Sequence, residues 1–260
     1  MNSCAVPDER SSLLDRTRAV DYAARVCETL ACMRSATHVA DVAALFEQAV
    51  SRLGADAGMF TSFLRPDATL ASYRTLLVCD PSLGSQRAAH GWFEDDPWLL
   101  HAKHSSDPVR ASELKTADQR QCEWVEAAAQ HGFRSAVIVP APSPAGPARV
   151  GVLYLGSATP AYFEGEGYGV LKMLAWPLAM ELHAWWHEAI KREMMSRSRL
   201  TESDLVLLRH EEQGHSSKVI AQTLQTQPTA IDCRFQRISA KLAAPNRRAA
   251  VRVAKLYGLI

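Results

Sequence analysis

What this chain lacks narrows its function before any motif is considered. No apolar run is long enough to cross a bilayer, which takes about 20 residues. The most apolar region, Val170 to Trp186, is broken by Lys172, Pro177, Glu181 and His183. The opening residues, Met-Asn-Ser-Cys-Ala-Val-Pro-Asp-Glu, lack the basic stretch and apolar run of an export signal. Six cysteines, at positions 4, 27, 32, 79, 122 and 233, show no C-x-x-C spacing, so reduced thiols and a cytoplasmic location are expected. There is no Gly-x-Ser-x-Gly elbow. Gly165-Glu166-Gly167-Tyr168-Gly169 lacks the Lys-Ser/Thr ending of a phosphate loop and carries an acid that repels phosphate. His101 and His104 beside Asp95 and Asp96, and His210 and His215 five apart, have no partner run of ligating residues. The first half also lacks the strand-helix alternation and acidic pair of a phosphorylated receiver. No catalytic residue, cofactor or metal is expected, and the chain is not expected to be an enzyme.

What is present is concentrated at the C-terminal end. From Ser196 to Ile260 there are eleven Lys and Arg against five Asp and Glu, whereas the whole chain has a formal net charge of +1. A basic piece of some 65 residues therefore follows an acidic one. Such a piece can replace condensed counterions along a phosphate backbone. Its punctuation is helical. Gly214-His215-Ser216 interrupts a helix expected from Glu202 to Gln213, and Ser216 or Ser217 can cap the next one. Pro228 is tolerated in the first turn of the helix after that. There Ile231, Phe235, Ile238 and Leu242 form one apolar stripe, and Arg234, Arg237 and Lys241 a basic stripe beside it. Two helices joined by a tight turn, the second carrying polar residues outward, make a helix-turn-helix.

This segment resembles the DNA-binding domain of the LuxR family of bacterial transcription regulators. Leu200-Thr201, Gly214-x-Ser216-x-Lys218-x-Ile220-Ala221, Leu224, Ile231, Ile238, Lys241-Leu242 and Gly258-Leu259-Ile260 carry the likeness over about a quarter of the chain. It departs at Ser203-Asp204, where Arg-Glu is usual, and at Val219, Ala230, Arg234 and Arg237. The buried positions match and several polar ones do not, which leaves the operator sequence open. The resemblance implies double-stranded DNA with a palindromic operator as partner. Lys218, Thr229, Asp232, Arg234, Gln236, Arg237 and Lys241 are the candidate DNA contacts. The basic members suit phosphates, and Asp232 and Gln236 sit where base-reading side chains project. Asp232 has a second reading, as an acid favoring the dipole of its helix N-terminus.

The residues before the basic piece read as mixed α/β. Apolar helical periods run from Arg16 to Met33 and from Val39 to Leu53. Ala57–Phe63 and Ala71–Val78 read as strands around an Arg65-Pro66-Asp67 turn. A helix from Asp118 to His131 ends at Gly132. Ser135–Pro140 and Ala148–Gly156 read as strands flanking a hairpin-type loop, and a long helix runs from Ala161 to Met195. The expected class is α+β: an N-terminal α-β-α sandwich on an antiparallel sheet, then an all-α four-helix helix-turn-helix domain. The expected domains are 1–191, a linker at 192–199, and 200–260.

The family resemblance extends into this first part. Trp92-Phe93-Glu94-Asp95-Asp96-Pro97-Trp98 is similar to the Asp-Pro segment of the family's acyl-homoserine-lactone-binding domain, and His131-Gly132-Phe133 also fits. The resemblance implies a small diffusible signal, such as an N-acyl homoserine lactone or a related molecule. It places Asp96 as acceptor for a ligand amide and Trp92 at an upstream aromatic. Aromatic positions that usually grip the ligand fall on Cys79, Leu83 and Ala111, while Trp98 and Tyr154 add aromatic bulk. Asp96 has an equally simple local reading, as the cap of a helix begun by Pro97; Trp98 also reads as plain core. An unusual lactone, a different small molecule and a filled pocket all remain open, the last leaving the first domain to dimerization or protein binding. Trp185 and Trp186 point in different directions on the long helix, and a homodimer through that helix is expected.

Overall fold

The computed structural model describes residues 12–65 and 71–260. The expected Arg65-Pro66-Asp67 turn, Cys4 and the opening residues lie wholly or partly outside that range. The chain divides into two compact units. One comprises residues up to 62 with 73–143 and 150–183; the other comprises 63–72, 144–149 and 184–260.

The first unit begins with helices α1 (Leu13–Arg18), α2 (Tyr22–Met33) and α3 (Val39–Leu53). One continuous helix over Arg16–Met33 is not what forms. Ala19 turns extended, at φ −61° and ψ 132°. The break lets Tyr22 turn inward, where its hydroxyl donates to the Leu53 carbonyl at 3.1 Å, and leaves Val20 fully exposed. Helix α3 has the expected bounds and ends on Gly54 in the left-handed region.

Strands β1 (Ala57–Leu64) and β2 (Ser72–Val78) follow, then α4 (Ser82–Ala89), α5 (Pro97–His104), the two-residue strand β3 (Val109–Arg110) and α6 (Gln119–Gln130). Strands β4 (Ser135–Pro142) and β5 (Arg149–Ser157) precede the 31-residue helix α7 (Tyr168–Ser198). The long helix thus starts seven residues later than expected, because Ala161–Gly167 forms a short 3-10 turn and a glycine-rich bend. Its last turns take in most of 192–199, where a linker was expected. The five strands form one antiparallel sheet in the order β2-β1-β5-β4-β3. Register is explicit at β4 and β5, where Ser135 faces Ser157 and Ile138 faces Tyr154.

Strand alternation assigns the two faces. On one face a methyl at Gly58 would overlap Val50 and Phe46 of α3, and one at Gly151 would come within 2.7 Å of His183 Nδ1 of α7 and 2.9 Å of Phe60. That face is covered by α3 and α7. The odd residues of β1, Met59 and Thr61, point to the other face with Tyr154, toward α4, α5 and α6. The first unit is therefore an α-β-α sandwich, and the Asp-Pro segment lies on its second face.

The second unit contains α8 (Glu202–Glu212), α9 (Ser217–Thr223), α10 (Pro228–Lys241) and α11 (Arg247–Leu256). Leu205, Leu208, Ile220, Ile231, Phe235, Ile238, Leu242, Ala250 and Ala254 bring all four helices into one core. The apolar stripe expected on α10 is buried in full.

The close fit at Gly58 is directly testable. Gly58→Ala is expected to cost about 1–3 kcal/mol by overpacking. Gly165→Ala, with nothing within 4 Å of the added carbon, should shift the urea midpoint little by comparison.

Candidate functional sites

Helix α5 begins at Asp96, whose backbone is extended and whose carboxylate caps the helix. Oδ1 accepts from the amides of Trp98 at 2.9 Å and Leu99 at 3.2 Å. Pro97 occupies the first turn, where a missing donor costs nothing. The capping reading of Asp96 therefore describes Oδ1. Oδ2 does something else. It accepts from the Tyr154 hydroxyl at 3.1 Å and from the guanidinium of Arg87. Asp96 is 0% exposed and Arg87 1%, so two opposite charges meet with no water access.

Arg87 was not singled out from the sequence, and it is the largest addition the structure makes. It lies one helical turn after Leu83 on α4, and these are the two buried residues of that short helix. Nη1 donates to Thr61 Oγ1 at 3.0 Å and touches Met59 Sδ at 3.5 Å. The guanidinium carbon lies 4.5 Å from the Phe93 ring centroid, 4.7 Å from that of Trp124 and 5.8 Å from that of Tyr154. Such stacking suits a planar, weakly hydrated cation. Trp98 packs against Trp124, Tyr154 and Phe133 at 5.8, 5.6 and 6.2 Å. Burial, with the Asp96 charge adding to it, pushes the Tyr154 phenol well above its ordinary value, so Tyr154 remains a donor. A signal for Arg87 did exist: a carboxylate placed inside a sandwich requires a donor, and Arg87 is nine residues upstream.

The other sequence candidates separate from this group. Trp92 is 5% exposed and stacks on His90 at 4.3 Å, with Trp124 6.0 Å away. Cys79 is half-buried just after β2; its thiol donates to the Asp80 carbonyl at 3.7 Å and is pushed up to about 11 by burial and the Asp80 charge. Ala111 starts the 3-10 turn after β3. No described contact joins Cys79 or Ala111 to Asp96.

The segment over Arg87 is clipped from outside. Arg120 of α6 donates to Asp95 Oδ2 at 2.6 Å and to the His90 carbonyl at 2.9 Å. The Tyr73 ring stacks on Phe93 at 4.1 Å and the Tyr73 hydroxyl donates to Glu94 at 2.8 Å.

In the second unit the candidate contact residues fall into two groups. Lys218, Thr229, Gln236 and Arg237 are exposed, and Lys218 and Arg237 have no acidic partner among the described residues. Arg234 and Lys241 turn back instead. Arg234 donates to the Ser203 carbonyl at 3.1 Å and lies 3.9 Å from Asp204, while Lys241 Nζ donates to Asp204 Oδ2 at 2.7 Å and to the Arg199 carbonyl at 2.9 Å. Asp232 is exposed but accepts from Ser217 Oγ at 2.6 Å, which in turn accepts from Arg247 at 2.9 Å.

Asp204, an unusual acid at its position by the resemblance above, is the hub of this unit. It forms a reciprocal capping box with Thr201 at the start of α8. Burial raises its carboxyl, but the hydrogen bonds from Lys241 and Thr201 outweigh burial and hold it below the ordinary carboxylate range.

The family model described as the autoinducer binding domain matches residues 38–184. No curated protein matches this chain. Among solved structures, SdiA of Escherichia coli superposes with a TM-score of 0.69 at 18% identity, covering 92% of this chain and 99% of that one. SdiA in complex with octanoyl-rac-glycerol superposes at 0.68, also at 18% identity, covering 92% of this chain and 96% of that one. The N-acylhomoserine-lactone-dependent LuxR-family factor CepR2 from Burkholderia cenocepacia superposes at 0.53 with 16% identity, over 63% of this chain and 95% of that one.

Two outcomes follow from these sites. Asp96→Asn strands the buried Arg87 charge, and the first unit is expected to lose about 3–5 kcal/mol in denaturant titration. The double replacement Arg87→Met with Asp96→Leu should lose less than the single change. For Asp204, a lowered folded pKa gives stability that is present above the unfolded value of about 3.9 and lost as pH falls through the folded one. Melting between pH 5 and pH 3 should fall further for the natural chain than for Asp204→Asn.

Proposed function

We propose, from the premise that this chain belongs to the autoinducer-binding domain family, that it is a DNA-binding transcription regulator controlled by a small diffusible molecule. The observation that carries the DNA-binding half is the α9–α10 pair. Buried Ile220, Ile231, Phe235 and Ile238 fix its geometry, while Lys218, Thr229, Gln236 and Arg237 face outward. Gln236 suits a bidentate bond to adenine, and Lys218 and Arg237 suit phosphates. Arg234 and Lys241 hold α8 against α10, so in this reading they orient the helix. Asp232 acts through Ser217 and Arg247 in setting where α9 begins.

For the signal, the matched family and the acyl compound bound to SdiA support a small acyl molecule, an N-acyl homoserine lactone or a relative of one. Trp92, Trp98, Tyr154 and Asp96 line or support its site, with Leu83 one turn before Arg87 on α4. A second reading has a specific observation behind it: all four short contacts to Asp96 come from the chain itself. In that reading the first unit folds without a signal and serves dimerization or protein interaction. Purification followed by mass spectrometry of any retained compound, with DNA binding measured on the same sample, separates the two.

The proposed assembly is a homodimer acting on a palindromic operator in the cytoplasm. No helix among the described residues is long and apolar enough to cross a membrane. Helix α7 exposes Val170 at 44%, Met173 at 72% and Trp176 at 46%, three and three apart on one apolar face. Met173→Glu is expected to shift the mass measured by light scattering toward a monomer; an unchanged dimer removes this face from the interface.

The DNA contacts are tested by operator selection from random duplexes. Gln236→Ala should relax base preference at one position of each half-site, whereas equal loss on every sequence would make Gln236 a backbone contact. Arg237→Ala should weaken binding across sequences and reduce the slope of log affinity against log salt by about 1.

A further inference from the structure

Three N–H donors in the aromatic cluster around Arg87 have no acceptor among the described residues: Arg87 Nε, Trp92 Nε1 and Trp124 Nε1. All three side chains are 95% or more buried, with Arg87 at 1%, Trp92 at 5% and Trp124 at 0% exposed. They adjoin one another, with the guanidinium carbon 4.7 Å from the Trp124 ring centroid and that ring 6.0 Å from Trp92. A buried donor without an acceptor loses its hydration and gains nothing in return. Three in one cluster indicate complementarity to an acceptor.

The acceptor side of the same cluster is already filled. Asp96 Oδ1 takes two backbone amides, and Oδ2 takes Arg87 and Tyr154. A ligand that brings an amide N–H to Asp96 must displace one of these. The polarity of the site is therefore inverted from the one an Asp-Pro motif implies: the chain supplies the donors. Charge sets a further limit. Arg87 and Asp96 already neutralize each other, and an anionic ligand would bring a second negative charge beside Asp96 with no second cation among the named groups.

We infer that this site takes an uncharged small molecule offering carbonyl or ester oxygens, and that the ligand needs no N–H. The inference rests on the reading that the first unit binds a small molecule, and it names the chemistry of that molecule. Arg87 is the specificity-determining residue, because it occupies Asp96 and redirects the site toward acceptors. The Trp92 and Trp124 N–H groups supply further donors.

The test uses matched pairs on the full chain. N-acyl homoserine lactones are compared with the O-acyl esters of α-hydroxy-γ-butyrolactone, which differ only in replacing the amide N–H by oxygen, across acyl chains from butanoyl to dodecanoyl. Affinity is read by calorimetry and by thermal shift. The expected result is an ester that binds within about threefold of its amide or tighter. An amide about tenfold tighter, the loss expected when a charge-assisted hydrogen bond is removed, overturns the inference. So does binding of neither series; operator binding by the same sample then shows that the DNA-binding reading stands independently.

Variants locate the effect. Trp92→Phe and Trp124→Phe keep the ring and remove one donor, and each is expected to weaken both series by roughly threefold to tenfold. Unchanged affinity in both variants overturns the role given to these donors. Arg87→Met frees Asp96 and should turn preference toward the amide by about tenfold. A variant that merely loosens the fold would lower affinity for ester and amide alike. The two Trp variants keep the inference testable where Arg87→Met does not fold.

Discussion

The ion pair between Arg87 and Asp96 is the constraint around which the first unit is organized. A carboxylate and a guanidinium that are both shut off from water are tolerable only together and only when their other hydrogen-bonding positions are largely met. That condition recruits the start of α5, whose amides satisfy Oδ1, and Tyr154 and Thr61 from the sheet. It also recruits Phe93 and Trp124, whose rings lie against the guanidinium. Helix α4 has little else to bury. Its docking is thus tied to a charge as much as to apolar area.

A similar economy operates in the second unit. Asp204 closes the capping box of α8 and receives Lys241 from the far end of α10, with Arg234 nearby. One buried acid therefore fixes the spacing of α8 and α10, the helices on either side of α9. The substitution of Ser203-Asp204 for the family's usual pair keeps an acid where the framework requires one, and the shorter side chain is met by two cations of α10.

Much of this was legible in the sequence where local and global preferences agree. Helix α3 could be read to the residue because its apolar period, its polar start and Gly54 all mark the same ends. The stripe Ile231, Phe235, Ile238 and Leu242 on α10 could be read for the same reason. The strands Ala57–Leu64 and Arg149–Ser157 were within a residue. What escaped was set by tertiary contacts. The break at Ala19–Asp21 follows from Tyr22 reaching Leu53, some thirty residues away. Helix α4 has Ser, Gly, Gln and Arg with one buried Leu, a composition with no apolar period, and it forms because Leu83 and Arg87 are covered. The contents of the Asp96 site depended on that same helix. The motif marked where a carboxylate would be, while the group that meets it lay on an element without a sequence signature.

The internal pairing of the C-terminal basic residues carries a consequence for how such a surface would search a chromosome. Arg234 and Lys241 are engaged by Asp204, Arg247 by Glu211 and Lys255 by Glu212. The count of eleven basic residues therefore overstates the cations free to meet a phosphate backbone, while the net excess over acids already allows for these pairs. A duplex of arbitrary sequence would hold such a protein less tightly than eleven free cations would, because sequence-independent retention scales with the cations free to displace counterions. Time spent at any one place would then be weighted toward the few side chains able to touch base edges, and occupancy of a correct site would depend less on how much other DNA surrounds it.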